Sequence, residues 1–270
     1  MEINTEQVIG IAGGMGPESG AALLQAITRN TKATSDQEHL PAILMSFPGS
    51  IADRTKFLEG EVPVNPAYNI ARVIYKLEEA GASIAGIACN TAHAAGIYDV
   101  ILQELSRLNS SIKLLHLPEE TCQYSKQHYP RAGRIGVMST NGSYKAGIYN
   151  RLLQELDCEV IMPDAGFQHS VIHSMIYDPQ FGLKACPGTL SKEVRALMEQ
   201  AMLFFRKQNA EAVILGCTEL SLVAGNFRQY GIPIVDSTEA FALALIREAT
   251  LHKNLPEVPS IMHPGFSAIN

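Results

Sequence analysis

Eight short apolar runs recur along the chain: VIGIAG (8–13), PAILMSF (41–47), SIAGIAC (83–89), IKLLHL (112–117), RIGVMS (134–139), CEVIMP (158–163), EAVILGC (211–217) and IPIVDS (232–237). None alternates strictly between apolar and polar residues, the pattern of strands buried on both faces of a parallel sheet. Amphipathic stretches fill the gaps. In the stretch at 66–80, Asn65 suits an N-cap, Pro66 the first helical position and Gly81 the close. Ile70, Ala71, Ile74 and Leu77 share one face there, with Lys76, Glu78 and Glu79 outside. A second helix starts at Ser191 and sets Val194, Leu197, Met198 and Ala201 on one stripe. Strands alternating with helices predict an α/β fold.

The order of these units repeats. VIGIAGGMGP and RIGVMSTNGS each run a strand into a glycine-containing turn, and Val8 and Arg134 stand 126 positions apart. Cys89 and Cys217 are 128 apart, and IKLLHLPEET and IPIVDSTEAF begin 120 apart. All βα units share a general likeness, but matching order near one offset, with paired cysteines, favours two related halves. The expected architecture is therefore two similar domains related by a pseudo-twofold across a cleft, each a mostly parallel sheet flanked by helices. The expected division gives residues 1–111 plus 228–270 to the half with Cys89, and 112–227 to the half with Cys217.

Length and composition narrow the function classes. With 270 residues, 46% hydrophobic and 18% charged, the chain has enough apolar side chain for a large core. Its formal charge of −6 includes no block of like charges, which argues against nucleic acid as a partner. The opening MEINTEQVIGIAGG reads as no export signal, and no apolar run approaches the ~18 residues of a membrane span. Five cysteines without CxxC or close histidine pairing suit reduced thiols better than disulfides or a zinc site. A cytoplasmic protein with no metal and no membrane partner is expected.

The two cysteines carry the chemistry. GIACNTAHAA (86–95) and VILGCTELSL (213–222) each end a strand on cysteine and follow it with polar residues able to start a helix. Ligands of parallel α/β sheets collect at the carboxyl ends of the strands. A thiol titrates near ~8.5, and helix N-termini or nearby cations lower that value. Two thiols on opposite sides of a carbon acid can remove a proton from one face and deliver one to the other, which inverts a stereocentre. Cys122, Cys158 and Cys186 repeat no motif and read as packing residues. A redox-sensing pair or a metal site remains open for Cys89 and Cys217, although neither has the spacing for it.

Other residues suit an anionic substrate. GIAGGMGPESG (10–20) fits neither GxGxxG nor a P-loop; it reads as a tight turn opening a helix at Pro17, with N–H groups free for a carboxylate. TNGS (140–143) holds the matching place in the second half, with Thr140 and Ser143 as hydroxyl donors. Arg54, in SIADRTKF, falls in the loop after the second strand, and Lys184, in DPQFGLKACPG, in an irregular lid-like loop. Such cations are commonly just solvated; turned inward, the two would match a substrate with two carboxylates. His93 either supports Cys89 or bonds a backbone carbonyl. Glu219 either holds the Cys217 proton, orients a substrate ammonium, or is an N-terminal-turn carboxylate favoured by the helix dipole.

IACNTAH and VILGCTEL resemble the two signature cysteine motifs of the aspartate/glutamate racemase family. GGMGP, DRT (53–55) and CNTAH look most like its aspartate racemase branch, and the resemblance runs over residues 8–247. Glutamate racemases of cell-wall synthesis typically carry an acidic residue in the first turn and His after the second Cys-Thr; this chain has Gly-Met-Gly-Pro and Glu. The resemblance implies a cofactor-independent, two-base racemase acting on a small dicarboxylic amino acid in the cleft between two α/β domains. It implies Cys89 and Cys217 as the thiol pair and Arg54 and Lys184 as carboxylate contacts. Met15, Asn90, Thr91, Thr140, Ser143, Thr218 and Glu219 match lining positions, and a homodimer is implied. Two features depart from the pattern: Ser143 stands where Thr is usual, and no Pro precedes Asp-Arg-Thr. The alternatives are a racemase of glutamate or of several amino acids, and a non-catalytic amino-acid-binding or thiol redox-sensing protein.

Overall fold

A computed structural model describes residues 7–251. Its strands are β1 (Ile9–Gly13), β2 (Ala42–Ser46), β3 (Ile84–Ile87), β4 (Lys113–Leu115), β5 (Arg134–Ser139), β6 (Glu159–Ile161), β7 (Ala212–Gly216) and β8 (Ile234–Asp236). Each falls within one of the eight apolar runs. The helices that matter below are α1 (Pro17–Asn30), α2 (Arg54–Leu58), α3 (Ala67–Glu79), α4 (Ala95–Arg107), α5 (Leu117–His128), α6 (Asn141–Lys145), α7 (Ile148–Gln154), α8 (Lys192–Lys207), α9 (Thr218–Ser221) and α10 (Ser237–Thr250).

The strands form two four-stranded sheets, ordered β2-β1-β3-β4 and β6-β5-β7-β8, with every pairing parallel. The order is the same in both, so β1 corresponds to β5 and β3 to β7. Helices cover both faces of each sheet. In the first, Ile74, Leu77, Ile97 and Ile101 pack on one side and Leu23, Ile27, Phe241 and Leu245 on the other. In the second, Met198, Phe205 and Ile172 face Cys122, Tyr149 and Leu153 across the strands. A fully buried side chain such as Leu77 or Phe205 is worth about 1.5–3 kcal/mol of transfer free energy.

Asn65 Oδ1 accepts the Ala67 N–H at 2.9 Å, but α3 starts one residue later than expected, with Pro66 rather than Asn65 as its N-cap; Ala80 caps its end and Gly81 follows at φ +100°. Ser191 caps α8 by accepting the Val194 N–H.

The domain boundaries fall later than the sequence suggested. β4 pairs with β3 in the first sheet and β8 with β7 in the second. Each of these strands is the last βα unit of its own sheet, and the crossover lies in the helix that follows. α5 makes the first crossing, with Leu117 in the first core and Cys122 in the second. α10 makes the return, carrying Phe241 and Leu245 back onto the first sheet.

Each sheet therefore has one place, between β1 and β3 or between β5 and β7, where the strand order reverses. Loops leaving such a point at the carboxyl ends form a crevice. The four loops there begin at Gly14, Ala88, Thr140 and Cys217.

Candidate active site

The two cysteines hold matching positions. Cys89 is the N-cap of the helical turn Asn90–His93 and Cys217 is the N-cap of α9, both with extended backbone and both buried.

The turn after β1 is shaped by glycine. Gly14 sits at φ +92°, and a Cβ there would stand 2.8 Å from the Phe47 backbone nitrogen. That close approach lets the Met15 carbonyl become a hub. Arg54 Nη2 donates to it at 2.7 Å, and Lys184 Nζ reaches it at 3.4 Å. Arg54 is the first residue of α2 rather than a loop residue, because Asp53 caps that helix by accepting the Lys56 N–H. Arg54 is 6% exposed, and its Nε has no hydrogen-bond partner among the described residues. Burial opposes the Arg54 charge, but the Cys89 sulfur, Tyr177 and Asp53 face it and hold it firmly protonated.

Lys184 lies in its predicted loop and turns inward. Its Nζ donates to Glu219 Oε1 at 2.5 Å and sits 5.2 Å from the centre of the Tyr177 ring. Glu219 accepts three further bonds: from the Gly16 N–H at 3.2 Å, from Cys217 Sγ at 3.0 Å and from Thr218 Oγ1 at 3.4 Å. The carboxylate that the α1 turn was expected to receive is thus supplied, in this state, by the chain itself. Burial alone would raise the Glu219 carboxyl, yet Lys184 holds it below the usual range. Burial works against the Lys184 charge too, and Glu219 keeps it above the usual value. Cys217 is pushed well above the ordinary thiol range, first by burial and then by Glu219.

A hydroxyl cluster joins the two halves. Thr91 Oγ1 lies 3.0 Å from Thr140 Oγ1 and 2.9 Å from Ser143 Oγ, and Thr55 donates to Thr140 at 3.3 Å. Gly142 permits this approach, since a Cβ there would meet Thr55 Oγ1 at 2.9 Å and Thr91 Cγ2 at 3.0 Å.

Two expected site residues act differently. Asn90 does not present a free amide: Tyr149 donates to its Oδ1 at 2.5 Å, and its Nδ2 donates to Ser237 at 3.2 Å. It ties α7 and α10 to the Cys89 turn. His93 takes the backbone alternative, and the carbonyl it meets is that of Cys89, at 2.9 Å from Nδ1. Its Nε2 accepts the Leu117 N–H at 3.3 Å. Burial, with His116 adding to it, holds His93 well below the usual imidazole value. The ring is neutral and fastens the Cys89 turn to the start of α5.

Tyr177 and Tyr149 had no motif to announce them, and Thr55 had only its place in the DRT run. Tyr177 donates to Asp53 Oδ2 at 3.0 Å, linking the second half to the DRT stretch. The one available signal was the Asp53-Arg54-Thr55 run itself, all three residues of which are engaged.

Met15, Gly16, Ser19, Arg54, Lys184 and Glu219 line a cavity of about 190 Å³. A larger hollow of about 730 Å³, bounded by Arg29, Tyr124, Arg228 and Glu239, contains none of the expected site residues. Neither of these two hollows is lined by Cys89 or Cys217. All five cysteines are free thiols. No cluster of three or more His, Cys, Asp or Glu suited to a metal occurs among the described residues, and no helix there is long and apolar enough to cross a membrane.

Residues 12–245 match the Asp/Glu/hydantoin racemase family. The chain belongs to that family. An aspartate racemase from Picrophilus torridus is similar in structure, with a TM-score of 0.71 and 26% identity over 90% of this chain and 94% of that one. An aspartate racemase homologue from Pyrococcus horikoshii shares the fold at TM-score 0.67 and 21% identity, over 90% of this chain and 99% of that one. In sequence, a glutamate racemase from Aquifex pyrophilus is 26% identical over 171 residues, which is 63% of this chain and 59% of that protein. Two four-stranded parallel sheets flanked by helices are thus the architecture of a two-domain racemase fold.

Proposed function

We propose that this racemase-family member interconverts L- and D-aspartate without a cofactor, using Cys89 and Cys217 as the two acid–base groups. One sulfur, as thiolate, takes the α-hydrogen; the other, as thiol, gives its proton to the opposite face. Arg54 and Lys184 receive the substrate carboxylates beside the α1 turn, with Met15, Thr91, Thr140, Ser143 and Thr218 around the reacting carbon. The observation that carries this reading is the equivalence of the cysteines. Each caps the helical turn after the corresponding strand, β3 or β7, of two sheets with one strand order. Racemisation is the reaction that needs two like groups so related.

The test is solvent exchange. Purified protein in deuterated water, with no cofactor added, is expected to exchange the α-hydrogen of both enantiomers of aspartate and to interconvert them. No exchange with either enantiomer sinks the proposal. A second reading, broader specificity that includes glutamate, is favoured by the sequence similarity to a glutamate racemase. A turnover panel of L- and D-Asp, Glu, Ala and Ser separates the two. A homodimer is proposed from the family resemblance alone and a cytoplasmic location from the free thiols; sedimentation of the purified chain tests the dimer.

A further inference from the structure

The cysteines leave equivalent strands but do not meet equivalent neighbours. Cys217 Sγ donates to Glu219 Oε2 at 3.0 Å, and that carboxylate is 4% exposed. Lys184 Nζ at 2.5 Å and the Gly16 N–H at 3.2 Å hold its other oxygen. An ionised carboxylate only accepts hydrogen bonds, so the sulfur beside it must supply the hydrogen. Cys89 has no carboxylate hydrogen-bonded to its sulfur among the described residues, and the group that faces it is the Arg54 guanidinium. An anion beside sulfur favours the thiol, and a cation favours the thiolate.

The remaining groups around Cys217 do not reverse this. Lys184 opposes Glu219 there but spends its shortest contact on Glu219 itself. The Tyr149 and Tyr177 phenols also face Cys217, and burial keeps both neutral. Asp236 faces Tyr149 from the end of β8 and adds negative charge on the same side.

We propose that Glu219 is a positioning residue that keeps Cys217 as the thiol in the ligand-free chain, so that Cys89 is the first base and Cys217 the first acid. The proposal rests on the racemase reading for its consequence but not for its test. In the first turnover the Cys89 thiolate forms an S–H bond with the α-hydrogen, and the C–H electron pair stays on the substrate carbon. Cys217 then breaks its own S–H bond to protonate the opposite face and is left as a thiolate beside Glu219. That arrangement is disfavoured, so the chain resets by taking a solvent proton onto Cys217 and releasing one from Cys89. The enantiomer that needs Cys217 as base therefore meets only a minor form of the free chain. Its KM is raised by the inverse of that form's fraction. Because racemisation has an equilibrium constant of one, kcat/KM is equal in both directions, and kcat rises by the same factor.

The experiment is ¹³Cβ NMR of the full chain carrying ¹³Cβ-labelled cysteine, titrated with pH, with signals assigned from Cys89→Ser and Cys217→Ser. Cys89 is expected to reach its thiolate position at least about one pH unit, a tenfold difference in ionisation constant, before Cys217. Glu219→Gln is expected to bring the Cys217 transition down by about a unit or more and leave that of Cys89 in place. In the same variant, the ratio of the two enantiomers' KM values should shrink together with their kcat ratio. Coincident transitions, or Cys217 ionising first, overturn the proposal from the wild-type spectrum alone, even where Glu219→Gln does not fold. A Cys217 transition unmoved in a folded Glu219→Gln chain overturns it as well. Separated transitions without racemisation would remove the function and leave the thiol assignment standing; racemisation with coincident transitions would do the reverse.

Discussion

The two halves agree in backbone and differ in charge. β3 and β7 each end in a cysteine that caps a helical turn, within sheets of one strand order. Beside the first cysteine stands Arg54; beside the second stand Glu219 and, behind it, Lys184. A fold can be duplicated by repeating its apolar pattern, because core packing needs only shape and hydrophobicity. The proposed two-base reaction needs one thiol and one thiolate at a time. Identical surroundings would ionise both or neither, so the departure from symmetry lies at the charges and not in the core.

The most severe way to break the comparison is to remove either sulfur. Cys89→Ser and Cys217→Ser are each expected to lower racemisation by at least about a thousandfold, within the range for losing a placed acid or base. The residues left behind should differ. Cys217→Ser keeps the base beside Arg54 and is expected to exchange the α-hydrogen of one enantiomer in deuterated water. Cys89→Ser leaves only a thiol beside a carboxylate, and its exchange should be weaker with either enantiomer. Equal residual exchange in the two variants would show that Arg54 and Glu219 do not distinguish the sulfurs.

A smaller effect is expected where each sheet admits a phenyl ring from a covering helix. Gly86 on β3 admits the Phe241 ring, and Gly136 on β5 admits Phe205. A Cβ would lie 2.6 Å from the first ring and 2.5 Å from the second. Gly86→Ala and Gly136→Ala should each cost about 1–3 kcal/mol by overpacking a closed core. Denaturant midpoints at unchanged slope would measure that loss. A cost confined to one variant would mean that one sheet yields and the other does not.

The backbone was legible in the sequence and the site only partly so. The strands were readable because a parallel sheet buried on both faces demands continuous apolar runs, and Asn65, Gly81 and Ser191 announced helix ends through local chemistry. The crossings through α5 and α10 were misplaced, since nothing local distinguishes the last strand of one sheet from the first of the next. Cys89 and Cys217 stood out by repetition. Arg54 and Lys184 were placed as carboxylate receptors, but the Glu219 carboxylate between Lys184 and Cys217 comes from a pairing across 35 positions. His93 bonds a backbone carbonyl, one of its two expected readings, while the tie of Asn90 to Tyr149 and Ser237 was unforeseen because those partners are distant in sequence. Long-range polar pairing leaves no periodic trace.

The mildest way to separate the halves is acid. The turn after β3 is fastened by neutral imidazoles: burial and His116 lower His93, and burial followed by Arg151 lowers His116 to about 4. A histidine depressed in the folded state binds fewer protons there than in the unfolded chain, so stability falls as pH drops below the unfolded value of about 6.5. For His116 that loss runs down to about pH 4. The turn after β7 has no histidine in this role. Its Glu219 is lowered by Lys184, so its stabilisation is intact above the unfolded carboxyl value of about 4.3 and is lost only below it. Between those limits the Cys89 turn should loosen while the Cys217 turn holds. Amide hydrogen exchange at pH 5 against pH 7, corrected for intrinsic rates, should show protection falling about two- to tenfold at residues 89–94 and unchanged at 217–222. His93→Gln should flatten the pH response of the first turn, because its amide no longer titrates. Loss of protection at 217–222 over the same interval would mean that α5 couples the two turns, and the halves would then open together.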